Sequence, residues 1–70
     1  MDKQELVKTL EEREQYLKGQ WHRLADIADD MGGLDTLLES DLPDAKDLME
    51  AFTATWKALN AVSRIINRNK

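Results

Sequence analysis

The sequence contains no cysteine, one proline and three glycines in 70 residues. Without cysteine, disulfide bonds, thiolate zinc sites and thiol nucleophiles are all excluded. No apolar run approaches the roughly 18 residues that a membrane-spanning helix requires. The N-terminal Met-Asp-Lys-Gln-Glu is polar, unlike a secretory signal. The chain is therefore expected to be cytoplasmic and to stay out of the membrane.

What the sequence does contain is 41% apolar and 34% charged residues, which is too hydrophobic for disorder throughout. Its length provides one small domain. A domain of this size buries only about 60% of the surface of its unfolded chain. Small domains commonly gain further stability from disulfides, a metal ion or oligomerisation. Since disulfides are excluded and the sequence has no metal-binding motif, oligomerisation is expected.

Apolar residues recur with helical spacing in two long segments. Leucine or methionine occurs every seven residues from Leu10 to Met31, which predicts an amphipathic helix over 3–31. Gly32 and Gly33 end this helix, because glycine readily takes the left-handed conformation that follows a helix C-terminus.

The next residues predict a short helix over 34–40, capped by Asp35. Pro43 then begins a second long helix over 43–67, since proline suits the first helical position.

The chain is thus predicted to be all-α: an antiparallel helical hairpin of two long helices with a short helix in the connection. A hairpin has one seam and two open flanks, so a homodimeric four-helix bundle is favoured over a compact monomeric three-helix arrangement. The side chains expected to form the core or the dimer contact are Leu10, Leu17, Trp21, Leu24, Phe52, Trp56 and Leu59.

Charge is sorted along the chain. Residues 1–25 carry no net charge, residues 26–50 carry −8, and residues 51–70 carry +4 with no acidic residue. In an antiparallel hairpin the carboxylates of the middle segment gather at the turn end. We call this group the acidic pole; it consists of Asp26, Asp29, Asp30, Asp35, Glu39, Asp41, Asp44, Asp47 and Glu50.

Three of these carboxylates lie where a helix does not favour them. Asp26, Asp29 and Asp30 are in the last turns of the first helix, next to the negative end of its dipole. Residues that lower the stability of a helix without a visible compensating contact are candidates for a function. The sequence therefore predicts that the acidic pole docks another protein, and a basic surface on that protein would complement its charge. The alternative is a solvated face that aids solubility. The residues assigned to this docking surface are Asp26, Asp29, Asp30, Asp35, Glu39 and Asp41.

No motif for catalysis or cofactor binding is evident. With Glu39 as the last ligand of a calcium loop, Ala28 and Gly32 fall where oxygen ligands are required. The single histidine, His22, has Asp26 four residues on, an arrangement typical of a surface pair. The chain is predicted to be a non-enzyme without cofactor or metal: an interaction module or small regulator.

The alternative function is that of a small RNA-binding or accessory subunit. Its nucleic-acid face would be the basic C-terminal end of the helical-hairpin dimer, formed by Lys57, Arg64, Arg68 and Lys70. Glutamates of the facing N-terminal segment dilute this basic stripe, and no aromatic side chains alternate with it. Nucleic acid is therefore the less favoured partner.

Overall fold

A computed structural model describes residues 2–70 and contains three helices over that range. Helix α1 spans Lys3–Asp30, α2 spans Leu34–Glu39 and α3 spans Pro43–Asn69. The prediction of an all-α chain is confirmed. Along the seam between the long helices, Glu14 contacts Ser63 and Trp21 contacts Phe52, so α1 and α3 run antiparallel. The result is a rod of 47 × 16 × 15 Å.

Both ends of α1 are closed by local hydrogen bonds. At the N-terminus, Asp2 Oδ1 accepts a hydrogen bond from the Glu5 backbone N–H at 2.8 Å. At the C-terminus, the Gly33 N–H donates to the Ala28 carbonyl at 2.8 Å. Gly32 and Gly33 have φ of +109° and +93°, as glycines that end a helix require. The helix ends at Asp30, one residue earlier than predicted.

Two glycines of this chain should respond oppositely to alanine. Gly32→Ala is expected to lower the free energy of unfolding by about 1–3 kcal/mol, because alanine is strained at positive φ. Its Cβ would also lie 3.2 Å from Thr36 Cγ2. Gly19→Ala is the matched control: it lies inside α1, and apart from its chain neighbours and the backbone of its own helix nothing lies within 4 Å of its added Cβ. That substitution should stabilise by about 0.5–1 kcal/mol. Urea denaturation measures both; a destabilising Gly19→Ala would contradict the open surroundings of Gly19.

The connection differs from prediction at its caps. The N-cap of α2 is Gly33, so Asp35 lies inside the first turn instead of capping it, and the helix ends at Glu39. The predicted cap was wrong because the glycine pair places the first helical residue at Leu34. Pro43 begins α3 as predicted.

The far end of α3 extends two residues beyond the predicted end at 67. The apolar periodicity stops at Ile66, but the Asn69 side-chain amide donates to the Ile65 carbonyl at 2.8 Å. Arg68 in the last turn also suits the negative end of the helix dipole.

The three helices meet in a small cluster at the turn end. Ala28, Leu37 and Ala45 are buried, with 0%, 3% and 1% of their surface exposed. Leu48 and Met49 pack against them. Leu37 of α2 thus packs in one cluster with the small side chains of Ala28 on α1 and Ala45 on α3.

The rest of the core is thin. Leu17, Leu59 and Ile66 are the other buried apolar residues among those described. No large side chain of residues 2–70 is fully buried.

Within residues 2–70, no helix is both long and apolar enough to cross a membrane.

Candidate interaction surfaces

The acidic pole is drawn from four consecutive stretches of chain. Its members come from the end of α1, from α2, from the loop before α3 and from the first two turns of α3. All nine carboxylates are exposed. The fold therefore brings together residues separated by up to 24 positions in sequence, and leaves their charges in solvent.

None of these carboxylates has a cation partner within residues 2–70. The single ion pair in that range joins Lys18 Nζ and Glu14 Oε1 at 3.7 Å, outside the pole. The residues described also hold no group of three or more His, Cys, Asp or Glu side chains placed to bind a metal ion. His22 is exposed, and its ring contacts Trp21 edge-on at 5.5 Å. No hydrogen bond links it to Asp26 among the described contacts.

The predicted basic residues occupy the other half of α3. Lys57, Arg64 and Arg68 are all exposed, and their spacing of seven and four places them on one face of the helix. Lys70 instead lines a surface depression with Lys3 and Lys8 at the start of α1. The structure thus separates the four predicted residues into a stripe of three and a terminal lysine.

The seven residues predicted for the core or dimer contact differ in their exposure. Leu17 and Leu59 are buried, while Leu10, Trp21, Leu24 and Phe52 are half-buried. Trp56 is 49% exposed, although its ring lies 5.8 Å from that of Trp21. A single chain therefore covers one indole ring well and the other only on one side.

Seven large apolar side chains of residues 2–70 are exposed to between 40% and 67%. They are Tyr16, Ile27, Met31, Leu34, Leu38, Leu42 and Trp56. Single exposed apolar residues are normal on a protein surface, but contiguous ones mark interaction sites.

One polar contact crosses the seam, and the sequence pattern did not predict it. Ser63 Oγ donates a hydrogen bond to Glu14 Oε2 at 2.6 Å. This hydrogen bond, assisted by the charges of Lys18 and Lys70, holds the pKa of Glu14 below its ordinary value of 4.5, against a smaller opposing effect of desolvation. The contact fixes the register of α1 against α3, since a shift of either helix would break it.

The lowered pKa makes this contact depend on pH. A carboxyl whose pKa is lower in the folded state adds stability above its unfolded pKa, and that stability is lost as the pH falls through the folded pKa. We expect the stability advantage of the wild type over Glu14→Gln to be full above pH 4.5 and to shrink below it. Urea denaturation across acidic pH measures the advantage.

The matched control for this experiment is Glu12→Gln, which removes the same charge from an exposed position of the same helix. The difference in free energy of unfolding between the wild type and Glu12→Gln should not show the decrease at low pH that comes from the Ser63 contact. A Glu14→Gln curve that runs parallel to the Glu12→Gln curve would contradict the role of this contact.

A second polar feature that the sequence did not indicate is the indole N–H of Trp21. Nε1 is buried and has no hydrogen-bond partner within the described part of the chain. An unpaired buried donor costs about 1–3 kcal/mol, so the aromatic cluster is less stable than its contacts alone suggest.

Comparison with known proteins finds no counterpart: no family model, no curated protein and no solved structure matches the chain. The surfaces described above are therefore the whole basis for a functional interpretation.

Proposed function

We propose that this protein is a non-enzymatic interaction module that docks a basic protein surface through its acidic pole. The observation that carries the proposal is the set of nine exposed carboxylates at one end of the rod, none of them paired with a cation in residues 2–70. The same end carries a single base, Lys46.

Such a concentration of like charge weakens the fold through self-repulsion, and a basic partner would relieve it. Complementary charge also speeds association and fixes the orientation of the partner. Asp26, Asp29 and Asp30 add to this argument because they lie at the end of α1, where the helix dipole disfavours anions. A partner with a positive surface turns this local cost into binding energy.

The test compares two triple variants that remove equal charge from opposite ends of the rod. The probe is an arginine-rich peptide, titrated by calorimetry at low and high salt. The wild type should bind it with an affinity that falls as salt rises. Changing Asp26, Asp29 and Asp30 to Asn should weaken binding at least about tenfold, or about 1.4 kcal/mol.

The control changes Glu5, Glu11 and Glu12 to Gln, all exposed residues of α1 far from the pole. It should retain most of the affinity. Equal losses in the two triple variants would mean that net charge alone attracts the peptide, and would overturn the assignment of the pole.

We also propose that two hairpins associate as a homodimeric four-helix bundle. The support comes from the half-exposed Trp56 and the other large apolar side chains that one chain leaves uncovered. Light scattering at high micromolar concentration should give twice the chain mass of 8.1 kDa. A strictly monomeric particle under those conditions would overturn the dimer while leaving the peptide test above unaffected.

RNA binding is the second candidate function, favoured by the stripe of Lys57, Arg64 and Arg68 on an acid-free half of α3. Phosphate contacts by such residues make affinity strongly dependent on salt. If this function is real, Arg64→Gln with Arg68→Gln should abolish a gel shift with single-stranded RNA, whereas Lys46→Gln should not. Absence of any shift by the wild type would remove this candidate.

A further inference from the structure

A shallow groove lies between α2 and α3 in the turn half of the rod. It has a volume of about 540 Å³ and is open to solvent. One wall comes from α2 and the other from consecutive turns of α3, so the fold itself keeps the groove in shape. We call it the α2–α3 groove; the residues that line it are Leu38, Met49, Glu50, Thr53, Ala54 and Lys57.

The apolar side chains at this groove are exposed in the single chain. Leu38 is 67% exposed, although its neighbour Leu37 is only 3% exposed. Packing of Leu37 therefore holds α2 in place while Leu38 is presented to solvent. Leu42 is also 67% exposed and precedes Met49 by seven residues, so it extends the groove toward the turn. No other large apolar side chain of residues 2–70 is as exposed as these two leucines.

The groove is distinct from the surface around Trp56. The Trp56 ring packs at 5.8 Å against Trp21 across the seam, and it does not line the groove. Contiguous exposed apolar side chains mark a place where another molecule binds. One common way to cover such a groove is a partner helix that lays its apolar side into it.

Carboxylates border the exposed apolar residues of the groove. Each of the three apolar residues has an acidic residue directly beside it in sequence, and all three acidic side chains are exposed. The pairs are Leu38 with Glu39, Leu42 with Asp41, and Met49 with Glu50. Residues 35–57 contain six acidic and two basic residues, a net charge of −4. This charge repels the phosphates of a nucleic acid or an anionic membrane, so the occupant that complements the groove is both basic and apolar.

A second copy of this chain does not match these requirements. It would bring a net charge of −4 to a groove that is already acidic. The basic half of α3 also lacks large apolar side chains beside its arginines. Apart from Arg68, the residues three or four positions from Arg64 are Asn60, Ala61 and Asn67. The occupant is therefore expected to be a segment of a different protein.

We infer that the α2–α3 groove takes the apolar side of a basic amphipathic helix from another protein. The inference rests on the docking function proposed above and adds the place where the partner's apolar side chains insert. Lysines or arginines along the borders of that helix would lie over Glu39, Asp41 and Glu50. From Leu42 to Lys57 the groove extends for about 22 Å at 1.5 Å per residue, which a partner helix of about four turns spans.

The apolar and charged parts of this contact have different roles. Apolar side chains that become fully covered at the centre of a contact provide most of its affinity. Charges at the border mainly speed association and fix the orientation of the partner. Binding through the groove should therefore weaken with added salt but persist where attraction between charges alone is screened.

The test uses two synthetic peptides of about 15 residues with the same composition of leucine and arginine. In the amphipathic peptide the leucines recur with helical spacing on one side, and in the scrambled peptide they are spread over all sides. Calorimetry at about 0.5 M salt should show that the amphipathic peptide binds at least about tenfold more tightly.

The outcomes separate the groove from the docking function. Equal affinities of the two peptides would overturn the groove, while salt-dependent binding of the arginine-rich peptide to the acidic pole would still stand. If neither the amphipathic peptide nor the arginine-rich one binds at low salt, the docking function fails and the groove with it.

Two double variants test the location without changing any charge. Leu38→Gln with Leu42→Gln removes two exposed side chains of the groove and should weaken binding of the amphipathic peptide at least about tenfold. Ile27→Gln with Met31→Gln is the matched control, since these residues are 47% and 40% exposed on α1 and its C-cap. It should change the affinity less than about twofold. Equal losses would mean that any exposed apolar surface attracts the peptide, and would overturn the inference.

Methionine methyl groups provide a direct readout in the wild-type protein. Met49 lines the groove, whereas Met31 lies at the end of α1 beside Asp29 and Asp30. In NMR spectra of protein with labelled methionine methyls, the amphipathic peptide should shift the Met49 signal and leave that of Met31 nearly unchanged. A shift of Met31 alone would place the peptide at the end of α1 and overturn the inference. A Met49 signal that moves with protein concentration in the absence of peptide would assign the groove to a second copy, and would likewise overturn it.

Discussion

Trp21→Ala is expected to lower the free energy of unfolding by about 2–4 kcal/mol, one of the two largest effects expected of a single truncation. Its indole packs against Phe52 at 4.9 Å and Trp56 at 5.8 Å between ring centres. Truncating a buried tryptophan commonly costs about 3–5 kcal/mol. Removal of the unpaired Nε1 donor returns about 1 kcal/mol of that cost, which places the expected value lower in the range.

Trp56→Ala is the matched comparison, because it removes the same side chain from the facing helix. Since Trp56 is 49% exposed in the single chain, its truncation should cost only about 1–2 kcal/mol. Urea unfolding followed by circular dichroism suits both variants, because the signal does not depend on either indole. Equal and large losses would show that a second chain or another partner covers Trp56 in solution.

Leu37→Ala is expected to destabilise the protein by about 2–4 kcal/mol, an effect as large as that of Trp21→Ala. Leu37 is 3% exposed and is the buried anchor of α2, which has only six residues. A helix this short does not form by itself, so its order depends on packing. Truncation would open a cavity against Ala28 and Ala45 and release α2 from both long helices.

Leu38→Ala provides the control one residue further on. Leu38 is 67% exposed, so its truncation should change the free energy of unfolding by less than about 0.5 kcal/mol. Hydrogen exchange would add a local readout: the Ser40 N–H, which donates to the Leu37 carbonyl, should exchange faster in Leu37→Ala. A Leu37→Ala variant as stable as Leu38→Ala would contradict the packing of α2 described here.

The sequence predicts most of this fold because the local spacing of apolar residues indicates where helices form. The apolar periodicity and the breakers Gly32, Gly33 and Pro43 locate all three helices to within two residues at each end. The errors have local causes. Asp35 was expected to cap α2, but the positive φ of Gly33 starts that helix at Leu34. Periodicity also cannot reveal the Asn69 hydrogen bond that extends α3.

The surfaces were predicted unevenly, since they depend on register as well as on spacing. Charge sorting alone locates the acidic pole, because any antiparallel hairpin gathers residues 26–50 at its turn. The Glu14–Ser63 hydrogen bond required knowledge of which residues face each other across the seam. The sequence feature that could have indicated this hydrogen bond is a carboxylate at a seam position of α1 and a hydroxyl at a seam position of α3. The unequal exposure of Trp21 and Trp56 also escaped prediction, because spacing gives the face of a helix but not the direction in which a ring leans.

The cluster of Ala28, Leu37 and Ala45 has a consequence for how the chain folds. Its members come from all three helices but are separated by at most 17 residues, so bringing them together closes only short loops. Contacts near the termini, such as that of Glu14 with Ser63, join residues 49 positions apart. The hairpin is therefore expected to nucleate at its turn and to zip toward its ends, and the low contact order of such a path is typical of rapid folding.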